Sequence, residues 1–134
     1  MRILFILALL ISFSVTRAQT SKDTTVEVIE KVEVEASVDA NLWRQHLVKE
    51  LTPVIEKAAS KGVKAGTYTV IVRFLVERDG SISDARATNN PGHGFAKAAE
   101  NVIRSGPKWT PGMQNGRPVR SYHTQPITFS IANE

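Results

Sequence analysis

The segment from residue 67 to residue 77 reads TYTVIVRFLVE, and it is the clearest structural signal in the chain. Its even-numbered positions from 68 to 76 are all aromatic or aliphatic, whereas threonine, arginine and glutamate share the other parity with Ile71 and Leu75. This period of two predicts a β-strand with one buried face. Because Ile71 and Leu75 interrupt the polar parity, we expect the second face to be partly covered.

Two tight-turn signals place further strands around this segment. Asp79-Gly80 follows it directly, and both residues tolerate the positive φ that a two-residue hairpin needs, so residues 81–88 are predicted to return as a weaker strand. Asn115-Gly116 is a second signal of the same kind, and residues 119–131 are predicted to close the chain as a strand.

Helical spacing occupies the intervals between these strands. Asp39 is placed to cap a helix that continues to Ala58, and Pro53 inside it predicts either a kink or a restart capped by Thr52. A second amphipathic helix is predicted to begin at Phe95 and to stop before residues 106–107, Gly-Pro.

Residues 26–38 alternate valine or alanine with glutamate over most of their length. The pattern fits a half-buried strand, and an extended acidic linker is the open alternative. With that strand included, the order β-α-β-β-α-β predicts an α+β fold: a small antiparallel sheet of about three to four strands with two main helices on one face.

The first residues of the chain have the composition of an export signal. Residues 3–15 are apolar or small and carry no charge, and Ala18 suits a cleavage site. As a helix they would reach only about 20 Å, against a hydrocarbon core of roughly 30 Å. We therefore expect a signal peptide at 1–18, a linker with a possible strand at 19–38 and one domain at 39–134, located in the periplasm. An inner-membrane anchor formed by residues 3–15 is the alternative.

Composition excludes several classes of function. The chain has no cysteine, so disulfides and thiolate-bound metals are absent. Cleavage after Ala18 would remove Arg2 and Arg17 and lower the formal net charge of +4 by two. A nearly balanced domain is a poor candidate for binding nucleic acid, which requires a concentrated basic surface.

No set of residues predicts catalysis, a metal site or a cofactor. His46, His93 and His123 lie far apart in the sequence and share no ligand spacing. Residues 89–94 lack the third glycine and the lysine of a phosphate loop, and Ser83-Asp84 has no recognisable nucleophile framework. A solvated basic face is the default interpretation of four further residues, Arg104, Lys108, Arg117 and Arg120. We expect the protein not to be an enzyme.

Pro126 is the most informative residue of the final strand. Proline cannot donate a ladder hydrogen bond, so inside a strand it indicates a sheet edge or a bulge. An open edge suits the addition of an extended peptide as another strand, although proline can also protect an edge from aggregation. The sequence does not separate these two interpretations.

Several ordered motifs resemble the C-terminal domain of TonB energy transducers, in the form found in Bacteroidetes. They are VxVxFxVxxDGxI at 70–82, FxxAAxxVI at 95–103, PKWTPG at 107–112, NGRPV at 115–119 and QPIxF at 125–129. The resemblance covers about residues 42–131 and implies a periplasmic, non-enzymatic domain linked to energy transduction and transmembrane transport. A structural or peptidoglycan-associated envelope module is the alternative function.

The resemblance also implies partners and a site. Family domains grip the TonB box of outer-membrane receptors by strand addition at the C-terminal strand, which predicts a docking edge formed by Ser121, Tyr122, His123, Thr124, Gln125, Ile127 and Phe129. Thr52 and Pro53 correspond to an adjacent Tyr-Pro contact, with threonine in place of the usual tyrosine. Other envelope proteins, peptidoglycan and a homodimer formed by strand exchange are further candidate partners. We also consider that residues 26–38 could pair with the docking edge and occupy it.

Overall fold

The computed structural model describes Val28 and residues 32–133 of the chain. The predicted signal peptide at 1–18 and most of the segment 19–31 lie outside these residues. The described elements are α1 (Ala40–Ser60), β1 (Gly66–Val76), β2 (Ile82–Ala87), α2 (Phe95–Arg104), β3 (Gly112–Gln114), β4 (Arg117–Val119) and β5 (Ser121–Ile131).

Two antiparallel sheets are formed by these strands. The larger has three strands in the order β2-β1-β5, and the smaller is the β3-β4 hairpin. β1 is therefore the central strand of the larger sheet. The predicted α+β fold with a small antiparallel sheet and two helices is confirmed.

The hydrophobic core lies between one face of the larger sheet and the two helices. Val70, Val72, Phe74 and Val76 of β1 are fully buried and join the apolar side chains of α2 in a single cluster. Across the core, the rings of two further residues, Phe95 and Phe129, stack with centroids 4.5 Å apart. The opposite face of the sheet is more open, and Ile71 there is 39% exposed.

α1 is one continuous helix. The Asp39 carboxylate accepts hydrogen bonds from the N–H groups of Asn41 and Leu42, so this cap prediction agrees with the structure. The predicted restart at Thr52 is wrong, because its hydroxyl donates back to the Val48 carbonyl at 2.6 Å instead of capping a new helix. Pro53 is exposed, so a carbonyl that loses its partner there can bond to water.

The predicted strand at 26–38 is not found in its described part. Residues 32–38 make only two isolated bridges, at Val34 with Met113 and at Ser37 with Thr110. Pro111 lies between the two partners and has no N–H to donate, which interrupts any longer ladder. This segment therefore pairs with the β3 side of the domain and not with β5.

Candidate functional site

β5 lies at one edge of the three-stranded sheet. All of its residues pair with β1 in a regular antiparallel register that runs from Ser121 opposite Val76 to Ile131 opposite Gly66. The pairing contains no bulge, so Pro126 sits within a regular edge strand, directly opposite Ile71. Of the two positions that proline permits, the edge is the one observed.

The backbone of Ile71 shows which way Pro126 points. The Ile71 N–H donates to the Asn89 side chain at 2.8 Å, and its carbonyl accepts from the Thr88 N–H at 2.8 Å. Both groups therefore face the β2 side and not β5. Opposite residues of an antiparallel pair either exchange both bonds or neither, so the backbone of Pro126 faces away from β1. No ladder bond is lost to the missing N–H.

The same alternation assigns a direction to every residue of β5. Residues that share the parity of Pro126 direct their backbone groups outward, and they are Tyr122, Thr124, Thr128 and Ser130. Within the part of the chain that the structure describes, no backbone hydrogen bond from another segment reaches this row. The outer edge of β5 thus presents donors and acceptors that no described strand pairs, although the Pro126 carbonyl accepts from the Gln125 side-chain amide at 3.4 Å.

The other edge of the sheet, on β2, is closed by side chains of α2. The Ala87 N–H donates to the Glu100 carboxylate at 3.0 Å, and Arg104 donates to the Ala85 carbonyl at 2.7 Å. The Arg104 guanidinium and the Glu100 carboxylate also lie 3.5 Å apart as an ion pair. The β2 edge is therefore occupied by the protein itself, whereas no described segment pairs with the β5 edge.

The predicted site residues on β5 divide into two sets by side-chain direction. Ser121, Ile127 and Phe129 are buried toward the helices, and their backbone groups bond to β1. His123 and Gln125 share that parity and are half-buried. These residues hold the strand in place, and a visiting chain would not reach their backbone groups.

The second set, Tyr122 and Thr124, lies on the helix-free face with outward backbone groups. The Tyr122 ring stacks against the Arg73 guanidinium at 3.6 Å from the ring centroid. Thr128 and Ser130 have the same geometry but were not among the predicted site residues. The sequence could have identified them, because residues an even number of positions from an edge proline direct their backbone groups to the same side as that proline.

Thr52 and Pro53 lie on the exposed side of α1. In the described residues, no hydrogen bond or ring contact joins either of them to β5. Their predicted role as an adjacent contact stays a prediction.

A cleft of about 250 Å³ lies between residues 32–36 and the beginning of β5. Its lining residues are Val32, Glu35, Ala36 and residues 121–124. Consecutive side chains of a strand point to opposite faces, so a cleft lined by four consecutive residues follows the strand's edge. Since β1 occupies the inner edge, the cleft lies along the outer one.

Three residues considered above for metal binding or nucleophilic catalysis make local contacts within the fold. The His46 Nε2 donates to the Val102 carbonyl at 2.8 Å, and the Ser83 hydroxyl donates to the Glu77 carboxylate at 2.7 Å. His123 packs against Trp109 with ring centroids 4.8 Å apart. Across Val28 and residues 32–133, no group of three or more histidine, aspartate or glutamate side chains could hold a metal ion.

The basic residues are partly tied into the fold. Arg120 donates to both carboxylate oxygens of Glu77, and this hydrogen bonding, with that from Ser83, holds the pKa of Glu77 below its ordinary value. The guanidinium of Arg104 closes the β2 edge. Two of the four residues of the supposed basic face are therefore structural.

Neither helix within the described residues is both long and apolar enough to span a lipid bilayer. Domains that recognise extended peptides by strand addition use an open sheet edge of the kind that β5 has among the described residues. A sequence model of the family described as the Gram-negative bacterial TonB protein C-terminal matches residues 56–131. The chain therefore belongs to the TonB C-terminal domain family. A comparison with individual curated proteins found no match.

The family assignment indicates a TonB-like role in energy transduction at the cell envelope. It is a non-enzymatic family whose members generally interact with outer-membrane receptors.

Proposed function

We propose that this protein is an exported periplasmic domain that binds the TonB box of outer-membrane receptors by adding the receptor segment as a new strand beside β5. The observation that carries the proposal is the inequality of the two sheet edges. α2 side chains close the β2 edge, while the outward row of β5 has no backbone partner among the described residues.

Strand addition fits the chemistry of this edge. A visiting extended chain would find N–H and C=O groups at Tyr122, Thr124, Thr128 and Ser130, and a carbonyl alone at Pro126. Each new backbone hydrogen bond contributes about 1 kcal/mol net, so a few of them give useful but reversible affinity. Side chains of the visitor would alternate between the helix side and the open face, which supplies selectivity.

The composition of residues 1–18 supports the periplasmic part of the proposal. An uncharged apolar run followed by a small-residue cleavage site is typical of secretory signals. Intact-mass analysis of the protein from separated cell compartments tests it. Loss of residues 1–18 in the periplasmic fraction is expected, and retention of these residues in a membrane-bound form would contradict export as a cleaved domain.

Receptor docking is tested by pull-down from detergent-solubilised envelope, using the wild type and two double variants. Thr124→Pro with Thr128→Pro removes two outward donors without removing a bond to β1, as native Pro126 already does. Thr124→Val with Thr128→Val keeps those donors and is the matched control.

We expect the wild type and the valine variant to recover TonB-dependent receptors and the proline variant to recover far less, with circular dichroism showing all three folded. Equal recovery by the folded proline variant would contradict docking at β5. If the protein recovers no receptor but co-sediments with cell wall, and the proline variant does so equally well, the result would favour the structural or peptidoglycan-associated module.

A further inference from the structure

The wall of the cleft that faces β5 is a fixed part of the domain. Residues 32–38, here called the strap, are held by reciprocal backbone hydrogen bonds to Met113 of β3 and to Thr110, two residues before β3. Val34 exchanges bonds of 3.1 and 2.8 Å with Met113, and Ser37 exchanges bonds of 3.0 and 2.6 Å with Thr110. Ala36 between them is buried in the core cluster. The strap therefore leads into α1 as a packed element.

Close packing around Gly112 brings the strap, β3 and β5 together. A Cβ at Gly112 would lie 2.8 Å from the Ser121 Oγ and 3.2 Å from Val32 Cγ2. Only a residue without a side chain permits this approach. The cleft is consequently a slot with two defined walls, the strap on one side and the beginning of β5 on the other.

The slot lies at one end of the row of outward backbone groups. A strand docked along β5 would pass Ser130 and Thr128, then Pro126, and would enter the slot opposite Thr124 and Tyr122. Its side chains would point alternately to the helix side and the open face along this path, and in the slot they would also meet the strap. The slot therefore adds a wall that can select among side chains at this end.

The slot carries a single carboxylate, that of Glu35, and no lysine or arginine lines it. Glu35 is exposed and has no hydrogen-bond or ion-pair partner among the described residues. Its neighbour Glu33 is different, because it accepts from the Asn115 N–H at 3.4 Å while its own N–H donates to Gln114 at 3.1 Å. One strap glutamate is thus used by the fold, and the other faces the slot.

We infer that Glu35 selects a positively charged side chain at the position of the docked strand that enters the slot. An opposite charge there gains the modest Coulomb energy of a solvent-exposed pair, whereas an acidic side chain would be repelled. Residues 26–35 of a second copy are a poor occupant, because they would place further glutamates beside Glu35. This inference rests on the proposed docking at β5 and names the chemistry of the partner.

A lysine scan of a peptide tests the inference. The probe is a short fluorescein-labelled peptide of alternating valine and threonine, in which one residue is replaced by lysine or by glutamine at successive positions. Its Kd for the purified domain is measured by fluorescence anisotropy. At one position, lysine should tighten binding about two- to fivefold over glutamine, and high salt should reduce this preference.

The variants Glu35→Gln and Glu33→Gln give a matched comparison within the strap. Glu35→Gln should abolish the preference for lysine. Glu35→Lys should instead prefer glutamate over glutamine when a second set of peptides carries glutamate at the same positions. Glu33→Gln removes the same charge but keeps an oxygen for the Asn115 N–H, so the preference should survive. If the peptides bind without a preference for lysine, or if Glu35→Gln leaves that preference unchanged, the inference about Glu35 is wrong while docking at β5 stands. Failure of every peptide to bind the wild type would overturn docking at β5 as well.

Discussion

The backbones of Gly80 and Trp109 are in direct contact. Trp109 donates its N–H to the Gly80 carbonyl at 3.0 Å, and a Cβ placed on Gly80 would collide with the Trp109 carbonyl oxygen. Gly80 also has a φ of +84° in the β1–β2 turn. This contact fixes the turn against the segment that carries Trp109, whose ring packs against Phe74 and His123.

Substitution of Gly80 by alanine should therefore destabilise the domain strongly. Left-handed strain and overpacking against the Trp109 carbonyl together should cost about 2–4 kcal/mol. Gly62→Ala is the control, because Gly62 has a φ of +77° but no atom near its Cβ position, and it should cost about 1 kcal/mol. Urea unfolding followed by tryptophan fluorescence measures both, and equal losses would argue against the contact.

Amide hydrogen exchange should alternate along β5. The N–H groups of Gln125, Ile127 and Phe129 are bonded to β1 and should be protected, whereas those of Thr124 and Thr128 face outward and should exchange fast, with rates differing by about a thousandfold. Two-dimensional NMR after transfer to D2O reads this residue by residue. Uniform protection along the strand would mean that its outer edge is already paired.

The β2 edge should open when Glu100 is truncated. Glu100→Ala leaves the Ala87 N–H without its acceptor, which should cost about 1 kcal/mol and expose a second edge to intermolecular pairing. Glu100→Gln keeps an acceptor oxygen and should remain close to the wild type in both respects. Thermal melts and sedimentation velocity measure the two effects, and a monomeric Glu100→Ala variant of unchanged stability would contradict the assigned role.

The pair formed by Glu77 and Arg120 should contribute to the acid sensitivity of the fold. Hydrogen bonding from Arg120 lowers the pKa of Glu77 below its ordinary value of 4.5. The stability gained is therefore complete above that value and is lost as the pH falls through the lower pKa of the folded state. Arg120→Gln should lower the Tm at neutral pH and flatten its decline in this acidic range. An unchanged decline, followed by circular dichroism across a pH series, would exclude the pair as a source.

Much of the fold could be predicted because the strongest local signals agree with the tertiary structure. The alternation of β1, the Asp39 cap, the turn after Glu77 and the amphipathic pattern from Phe95 all specify elements that form. In residues 32–38, the described part of the alternating segment, no continuous strand forms, and the reason is physical. A strand needs a partner of matching length, and Pro111 limits the partner of residues 32–38 to two bridges.

The candidate site was only partly predictable. Pro126 indicates an edge and also the direction of its neighbours, and this second consequence identifies Thr128 and Ser130. The closure of the opposite edge depends on Glu100 of α2 reaching Ala87, a contact between elements that no local pattern encodes. The slot likewise requires the strap and β5 to meet at Gly112, across a long separation in sequence.

The inequality of the two sheet edges limits how this domain can assemble. A fibril grows by strand pairing when each added copy exposes an open sheet edge to the next copy, so every molecule needs two open edges. Under the proposed docking, a bound segment would occupy the one edge of the three-stranded sheet that the described residues leave open, so binding at this sheet should stop at one to one. Two copies that met through their β5 strands would form a self-limited pair, inactive toward a receptor until it dissociates.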